Sequence, residues 1–386
     1  MRVALLAWES LHSIAVGGVA VHVTELAAAL ERKGHEVHVF TRMGPGQLHL
    51  ERIHGVWYHR CPFDLNPDFV EEIHNMCRSF VHHLFATEDY MGAGFDVVHA
   101  HDWLTALAMI WIKWGRGRRG ILTMHSTEYG RCGNQFFGGR SARIRDIEWQ
   151  GTYWADRVIV VSHALGRELQ WIYHLPEWKI HVIYNGINPH VFDGFLDAGT
   201  VKGRYGIGPL DPTVLFCGRM TYQKGPDLLV NAVPMILHRH PQAKFVFAGD
   251  GDMRGSCEQQ AHALGVAHAC RFLGYRNGGE LIDLYKACDV VCVPSRNEPF
   301  GLTVLEAWSA GKPVVATRNG GPDEYVEHGV NGLKIYAHAE SVAWGIGTLF
   351  HDFEWARWMG RNGRATVETA FSWDRVAEQT LSVYGA

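Results

Sequence analysis

A chain of 386 residues is long enough for two or three domains with sizeable cores. Its 36 Lys and Arg against 40 Asp and Glu give a net charge of −4, and 47% of the residues are hydrophobic, so nothing global argues for a nucleic-acid partner. No apolar run approaches the roughly 18 residues of a membrane-spanning helix. The apolar start, Met1 to Trp8, meets Glu9 and His12 at once and reads as a first strand rather than a signal peptide. The eight cysteines are scattered with no Cys-x-x-Cys, which fits a reducing cytoplasm without disulfides; Cys288 and Cys292 read as packing residues. The 24 histidines show neither His-x-x-x-His nor His-Glu-x-x-His, so no metal site is expected.

Strands and helices alternate along the chain. In the first half, strands are predicted near 2–8, 36–41, 56–60, 96–99, 120–124, 157–161 and 180–183, with helices near 19–33, 68–86, 103–113, 141–154 and 163–173. In the second half, strands fall near 213–217, 243–248, 270–273, 289–293, 314–317 and 333–335, with helices near 225–239, 254–264, 279–287, 301–310 and 338–349. This alternation predicts an α/β fold with parallel, doubly wound sheets. The join is Tyr184-Asn-Gly-Ile-Asn-Pro189, a run of turn residues. It divides the chain into 1–186 and 187–370, followed by a helical tail over 371–386.

Several motifs sit at strand ends. Gly17 and Gly18 follow the first strand and open a helix, where absent Cβ atoms let backbone approach a phosphate; a plain loop is the alternative. His99-Ala-His101-Asp102-Trp103 and Thr123-Met-His125-Ser-Thr-Glu128 end neighbouring strands, although a lone histidine is usually structural. Trp111-Ile-Lys113-Trp114-Gly-Arg116-Gly-Arg118-Arg119 mixes aromatic and basic residues, as at an anionic membrane surface. A solvated helix-to-strand connection is the favoured reading there. Arg131, Arg140, Arg143 and Arg145 cluster in sequence and would suit a phosphorylated acceptor.

In the second half, Arg219 and Lys224 follow a strand and can neutralise a pyrophosphate, although on these residues alone a surface basic pair is the favoured reading. Ala248-Gly249-Asp250-Gly251 and Phe272-Leu-Gly-Tyr275 end the next two strands. The most informative stretch is Pro294-Ser-Arg-Asn-Glu298-Pro-Phe-Gly301-Leu-Thr-Val-Leu-Glu306-Ala-Trp-Ser-Ala-Gly311. It reads as a loop and helix between two buried strands. The first amides of that helix, from Gly301, Leu302 and Thr303, suit a phosphate. Glu298 precedes the helix, and Glu306 lies roughly 7–8 Å along its axis at about 1.5 Å per residue. Two carboxylates flanking an anion site suit hydroxyl groups, a sugar on one side and a ribose on the other.

The pair Glu298 and Glu306, with Pro-Phe-Gly-Leu after the first and Gly-Lys-Pro-Val-Val-Ala ending the motif, resembles the signature of retaining, nucleotide-sugar-dependent glycosyltransferases of the GT-B fold. That is family four, the glycosyl transferases group 1. His125 to Arg131, Ile147-Glu148-Trp149 and Ala155-Asp156 resemble its glycogen-synthase-like, or maltose-1-phosphate-synthase, branch. The resemblance implies two Rossmann-like domains facing across a cleft: 1–186 binding the acceptor, 187–370 binding the nucleotide sugar, and the tail crossing back to the first. It implies catalytic roles for His125, Arg219, Lys224 and Glu298. Donor contacts would come from Gly17, Gly18, Gly249, Gly251, Tyr275, Phe300, Gly301, Leu302, Thr303 and Glu306. The acceptor would lie near His101, Asp102, Trp103 and Arg131.

The implied reaction is same-face transfer of a hexosyl group, an α-glucosyl group in particular, from ADP- or UDP-glucose. Its acceptor would be a glucan, an oligosaccharide or a sugar phosphate. Fixed cations stabilise the leaving diphosphate, so no obligatory metal or cofactor is expected. Alternatives are an α-mannosyl- or glucosyltransferase using a lipid or small-molecule acceptor at a membrane, a GT-B epimerase or phosphorylase, and a sugar-binding module. No acid/base constellation for an epimerase is evident. The intact Arg219, Lys224, Glu298 and Glu306 argue against a mere binding module.

Overall fold

The computed structural model describes residues 1–385. Contacts divide it into two units: residues 1–131 and 135–186 with the helix from Trp373 in one, and 132–134 with 187–372 in the other. The first unit holds β1 (Arg2–Leu6), β2 (Glu36–Arg42), β3 (Leu50–Ile53), β4 (Val56–Cys61), β5 (Val97–His101), β6 (Arg119–Met124), β7 (Arg157–Val160) and β8 (Ile180–Val182). They form one sheet in the order β3-β4-β2-β1-β5-β6-β7-β8. All pairs are parallel except β3 with β4.

The second unit holds β9 (Thr213–Cys217), β10 (Lys244–Ala248), β11 (Cys270–Gly274), β12 (Val290–Val293), β13 (Val314–Thr317) and β14 (Gly332–Ile335). Its sheet is parallel throughout, in the order β11-β10-β9-β12-β13-β14. The strands are near-continuous apolar runs because a parallel sheet is covered on both faces. Val3 to Leu6 of β1 and Val290 and Val291 of β12 are wholly buried.

In each sheet the chain leaves the first strand to one side and later returns on the other. β1 thus lies between β2 and β5, and β9 between β10 and β12. Loops leaving such neighbouring strands diverge and open a crevice at their carboxyl ends, where α/β sheets take ligands. The final helix, Trp373–Gly385, packs Trp373, Val376, Ala377, Val383 and Tyr384 into the same core as Val3, Leu5 and Ile121 of the first unit.

Several elements lie outside the sequence reading, among them β3 and helix Phe353–Ala370. β3 is an additional edge strand whose Leu50, Glu51 and Arg52 are exposed, so it lacks an alternating apolar pattern. His54 and Gly55, at φ 48° and 84°, turn it into β4 as a tight hairpin. Helix Phe353–Ala370 spans a stretch that the sequence reading leaves without an element. Its Gly360 and Gly363 look like breakers, yet both are packing requirements. A Cβ on Gly360 would lie 2.1 Å from the Gly311 carbonyl oxygen, and one on Gly363 would lie 2.2 Å from the Trp308 ring. That close approach seats the helix against Leu302–Ser309, the helix that carries Glu306.

Candidate active site

In the second unit the loops after β9 and β12 meet. Gly225, at φ 67°, lets them touch: a Cβ there would lie 2.4 Å from the Pro294 carbonyl oxygen. This contact brings Lys224 onto Glu298. Lys224 Nζ donates to both carboxylate oxygens at 2.8 Å, and Ser295 Oγ donates to Oε2 at 2.8 Å. Glu298 is buried and Lys224 half-buried, so the pair is shielded from screening. Arg219 is exposed, and one guanidinium nitrogen is 3.3 Å from Gln223 Oε1.

Gly301, at φ 95°, caps helix Leu302–Ser309 in the left-handed region. The amides of Leu302 and Thr303, in its first turn, have no acceptor within the helix. Thr303 Oγ1 lies 3.4 Å from the Cys217 carbonyl, tying the helix start to the end of β9. Glu306, a turn further, accepts from the Tyr285 hydroxyl at 2.5 Å. Burial pushes its carboxyl up, opposed by that hydrogen bond. Phe300 departs from the role of a donor contact through its side chain: it is 3% exposed and packs on Tyr325 and Phe371, which leaves only its backbone available.

Gly249 and Gly251 hold the neighbouring loop. A Cβ on Gly249 would fall 1.8 Å from the Gly218 carbonyl oxygen, and one on Gly251 would fall 2.5 Å from that of Met220. The β10 and β9 loops are therefore pressed backbone to backbone, with Met220 N donating to Asp250 O at 2.8 Å. These glycines position Arg219 through its flanking residues. Tyr275, after β11, is 57% exposed.

In the first unit the loop after β1 is held by a carboxylate to which the sequence reading assigns no role beyond ending the first apolar run. Glu9 Oε2 accepts from the amides of Val16 and Gly17 at 2.7 and 2.6 Å. Burial raises the Glu9 carboxyl, opposed by these amides and by Arg42. The Gly17 amide is thus engaged, and its backbone is extended. Gly18, at the first position of helix Gly18–Arg32, keeps an amide outside the helical ladder.

His125 follows β6, and its amide donates to Asp102 Oδ1 at 2.7 Å. Asp102 takes a left-handed φ of 58°, uncommon for a non-glycine residue, and its own amide donates to Thr123 O at 2.8 Å. Burial raises the Asp102 carboxyl, opposed chiefly by the charge of Arg131. Burial alone pushes the His125 imidazole down to about 3, so it is neutral at ordinary pH.

The expected acceptor contacts need correction. His101, Asp102 and Trp103 are 1%, 7% and 4% exposed, and Trp103 packs edge-on against Phe69. They form the floor on which His125 sits and offer no stacking face. Nor do the arginines converge. Arg131 donates to Ser126, Glu128 and Glu148; burial lowers its pKa, but the negative charges of Glu148, Asp102 and Glu128 outweigh it and raise the pKa. Arg143 reaches Asp68 and Glu71. Arg145 donates to Phe137 O and Ser141. Each is matched with acceptors of its own fold.

The basic segment is similarly matched: Lys113 meets Asp156, Arg116 meets Asp89 and Arg118 meets Glu88. Among the described residues no helix is long and apolar enough to cross a membrane.

Sequence reasoning missed Ser295, Tyr285, Glu9 and the Gly320-Gly321 turn after β13. A Cβ on Gly320 would lie 2.0 Å from the Glu298 carbonyl oxygen, and Glu298 N donates to Asn319 O at 2.9 Å. The pair of glycines at a strand end was the available signal.

Residues 16–191 match the family described as Glycosyltransferase Family 4, and residues 200–366 match Glycosyl transferases group 1. The chain is 40% identical to "Uncharacterized glycosyltransferase MJ1607" of Methanocaldococcus jannaschii, covering 100% of this chain and 98% of that protein. It is 32% identical to a D-inositol 3-phosphate glycosyltransferase of Actinosynnema mirum, over 96% of this chain and 92% of the relative. It is 29% identical to a glycogen synthase of Mycobacterium tuberculosis, over 100% and 94%. Among solved structures, sucrose-phosphate synthase of Thermosynechococcus elongatus superposes with a TM-score of 0.85 at 26% identity, covering 100% of this chain and 98% of that one.

Proposed function

The chain belongs to glycosyltransferase family 4, with the GT-B fold, and from that premise we propose that it transfers an α-glucosyl group from ADP- or UDP-glucose to a saccharide or sugar-phosphate acceptor with retention. The observation that carries this reading is the Lys224–Glu298 pair at the β9/β12 crevice, beside the start of helix Leu302–Ser309. Lys224 has three N–H groups and spends two on Glu298, leaving one for a phosphate oxygen. With Arg219 and the helix start, it supplies the positive field that a departing nucleoside diphosphate needs, without a metal ion.

Glu298 is a poor nucleophile. Its two oxygens already receive three hydrogen bonds, two of them from an ammonium. It suits holding a sugar hydroxyl. That favours displacement on one face of the sugar, in which a leaving phosphate oxygen draws the acceptor's proton. Relatives named for glycogen and for a sugar phosphate support a saccharide or sugar-phosphate acceptor.

The test is a panel of labelled nucleotide sugars, with and without maltooligosaccharides and sugar phosphates, scored for free nucleotide and labelled product. Acceptor-dependent release with an α-linked product is expected, and it should be unchanged by EDTA. Interconversion of the nucleotide sugar without acceptor would point to an epimerase instead. Binding without release would point to a sugar-binding module.

A further inference from the structure

Two strand ends meet in the first unit beyond the last paired residues of β1 and β2. Ala7 N donates to Phe40 O at 3.0 Å, which carries the pairing past Leu6 and sets Trp8 beside Arg42. Arg42 Nε donates to the Trp8 carbonyl at 2.5 Å, and its guanidinium carbon lies 3.4 Å from the centroid of the indole ring. The planar cation is therefore stacked on the aromatic face. Phe69, the first residue of helix Phe69–Met91, lies edge-on to Trp8 with centroids 6.5 Å apart and to Trp103 at 5.8 Å. The stack thus stands next to the floor under His125, at the carboxyl ends of the strands.

Two buried donors in this stack have no hydrogen-bond partner: Nη2 of Arg42 and Nε1 of Trp8. Each side chain as a whole is half-buried, so solvent reaches the stack. Both groups can only donate, and the guanidinium stays charged. Burial pushes Arg42 down to about 10, against Glu9 and Glu72, which act on it through charge alone. Glu9 Oε2 is taken by the amides of Val16 and Gly17, and Glu72 Oε2 lies 3.5 Å from the Asn66 amide. Arg131 and Arg143, by contrast, are spent on carboxylates. A charged donor and a neutral one left buried without acceptors are unfavourable, and native proteins contain few such groups. Adjacent donors, one of them cationic, match an oxyanion that accepts from both.

We propose that the Arg42 guanidinium and the Trp8 indole N–H form a subsite for an anionic group, phosphate or carboxylate, carried by the acceptor. This rests on the transferase reading above and narrows it, favouring a sugar phosphate or sugar acid over a neutral glucan. A neutral sugar brings no charge to match the cation, so discrimination follows from the unmatched donors. No sequence motif marks the pair, because Trp8 and Arg42 are 34 residues apart and meet only through sheet order.

The test uses the full chain, isotopically labelled at the tryptophan indole nitrogens and followed by nuclear magnetic resonance. Trp8→Phe identifies the Trp8 N–H signal by its loss. Glucose 6-phosphate, glucuronate, inorganic phosphate and glucose are titrated separately, so that the two sugar anions distinguish a phosphate from a carboxylate. One of the sugar anions should move the Trp8 signal and glucose should not. Trp8→Phe, which keeps an aromatic face for Arg42, should weaken calorimetric binding of that anion about 10- to 100-fold and raise its KM as an acceptor by a similar factor. Arg42→Lys keeps the charge but loses the fork and should also weaken binding, with folding checked by circular dichroism; Trp8→Phe serves if Arg42→Lys does not fold. A Trp8 signal unmoved by any anion, equal movement by glucose, or unchanged anion affinity in Trp8→Phe would overturn the proposal and leave a buried water as the donors' partner. Movement by inorganic phosphate alone would overturn it as an adventitious ion only. Transfer to neutral saccharides with Trp8 unmoved sinks the subsite alone, whereas anion binding at Trp8 without acceptor-dependent nucleotide release sinks the transferase reading.

Discussion

Lys224 and Arg219 make different demands on the protein. Lys224 neutralises a buried carboxylate, so Lys224→Ala should lower turnover and also destabilise the chain by about 3 kcal/mol through the stranded Glu298. Arg219 is exposed, so Arg219→Ala should lower turnover about 10²-fold while leaving the melting temperature nearly unchanged. Rates and thermal melts of both variants check this; equal melting shifts would contradict it. The two glutamates also separate. Glu306 keeps acceptor capacity beyond its Tyr285 bond and should hold ribose hydroxyls. Glu306→Gln should weaken binding of the bare nucleoside diphosphate by roughly 10- to 100-fold, from about 1.5–3 kcal/mol for a hydrogen bond to a charged group. Glu298→Gln releases Lys224 toward the phosphates, so nucleotide affinity should hold or rise while turnover falls. Calorimetry with free nucleotide decides, and the opposite pattern would reverse the two assignments.

At the scale of elements, glycines without special dihedrals decide how closely helices pack. Gly360→Ala would drive a Cβ to 2.1 Å from the Gly311 carbonyl oxygen, whereas a Cβ on Gly347 would meet nothing within 4 Å. The first change should cost about 1–3 kcal/mol. Gly347→Ala, inside helix Ala339–His351, should be neutral or stabilising by up to about 1 kcal/mol. Urea titrations of the two variants compare them directly, and indistinguishable midpoints would refute the packing account. β2 and β4 carry a second testable feature. His38 Nδ1 and His59 Nε2 are 2.9 Å apart, and burial lowers both imidazoles, His59 to about 3. Below about pH 6.5 the unfolded chain takes up protons that the folded one refuses. Stability from His59 is therefore full above pH 6.5 and lost as pH falls toward 3, reaching about 2–3 kcal/mol by pH 4.5 at about 1.4 kcal/mol per pKa unit. His59→Gln should flatten that part of the acid melting curve; an unaltered slope would count against it.

For the whole molecule, the telling feature is the final helix, Trp373–Gly385, whose apolar face completes the core of the first unit although it follows the second in sequence. Trp373 lies edge-on to His22, and a Cβ on Gly186 would lie 2.7 Å from its ring. The Tyr384 hydroxyl is 2.8 Å from His99 Nδ1. Trp373→Ala should cost about 3–5 kcal/mol. Hydrogen exchange should show the loss first in β1 and β5, with the strands of the second unit unaffected; equal protection in wild type and variant would show that the helix contributes little.

The sequence by itself determined the α/β class and the strand-loop-helix stretch from Pro294 to Gly311, because apolar runs, strand-end glycines and helix stops are local signals. It also marked Lys224, Glu298 and Glu306 as chemically meaningful, through motifs that resemble the family's signature rather than through their spacing alone. Only the tertiary structure decided their partners. Lys224 and Glu298 are 74 residues apart, and their contact exists because Gly225 lets two loops touch. The same holds for Arg131, whose charge is spent on Glu128 and Glu148, and for His101 and Trp103, which the packing of β5 and its helix buries. His22, His101 and His125 share no sequence pattern, yet the order of three strands and one helix brings their rings together. Periodicity reports which face of an element is buried. Which side chain lies opposite is set by sheet order and by how closely backbones can approach.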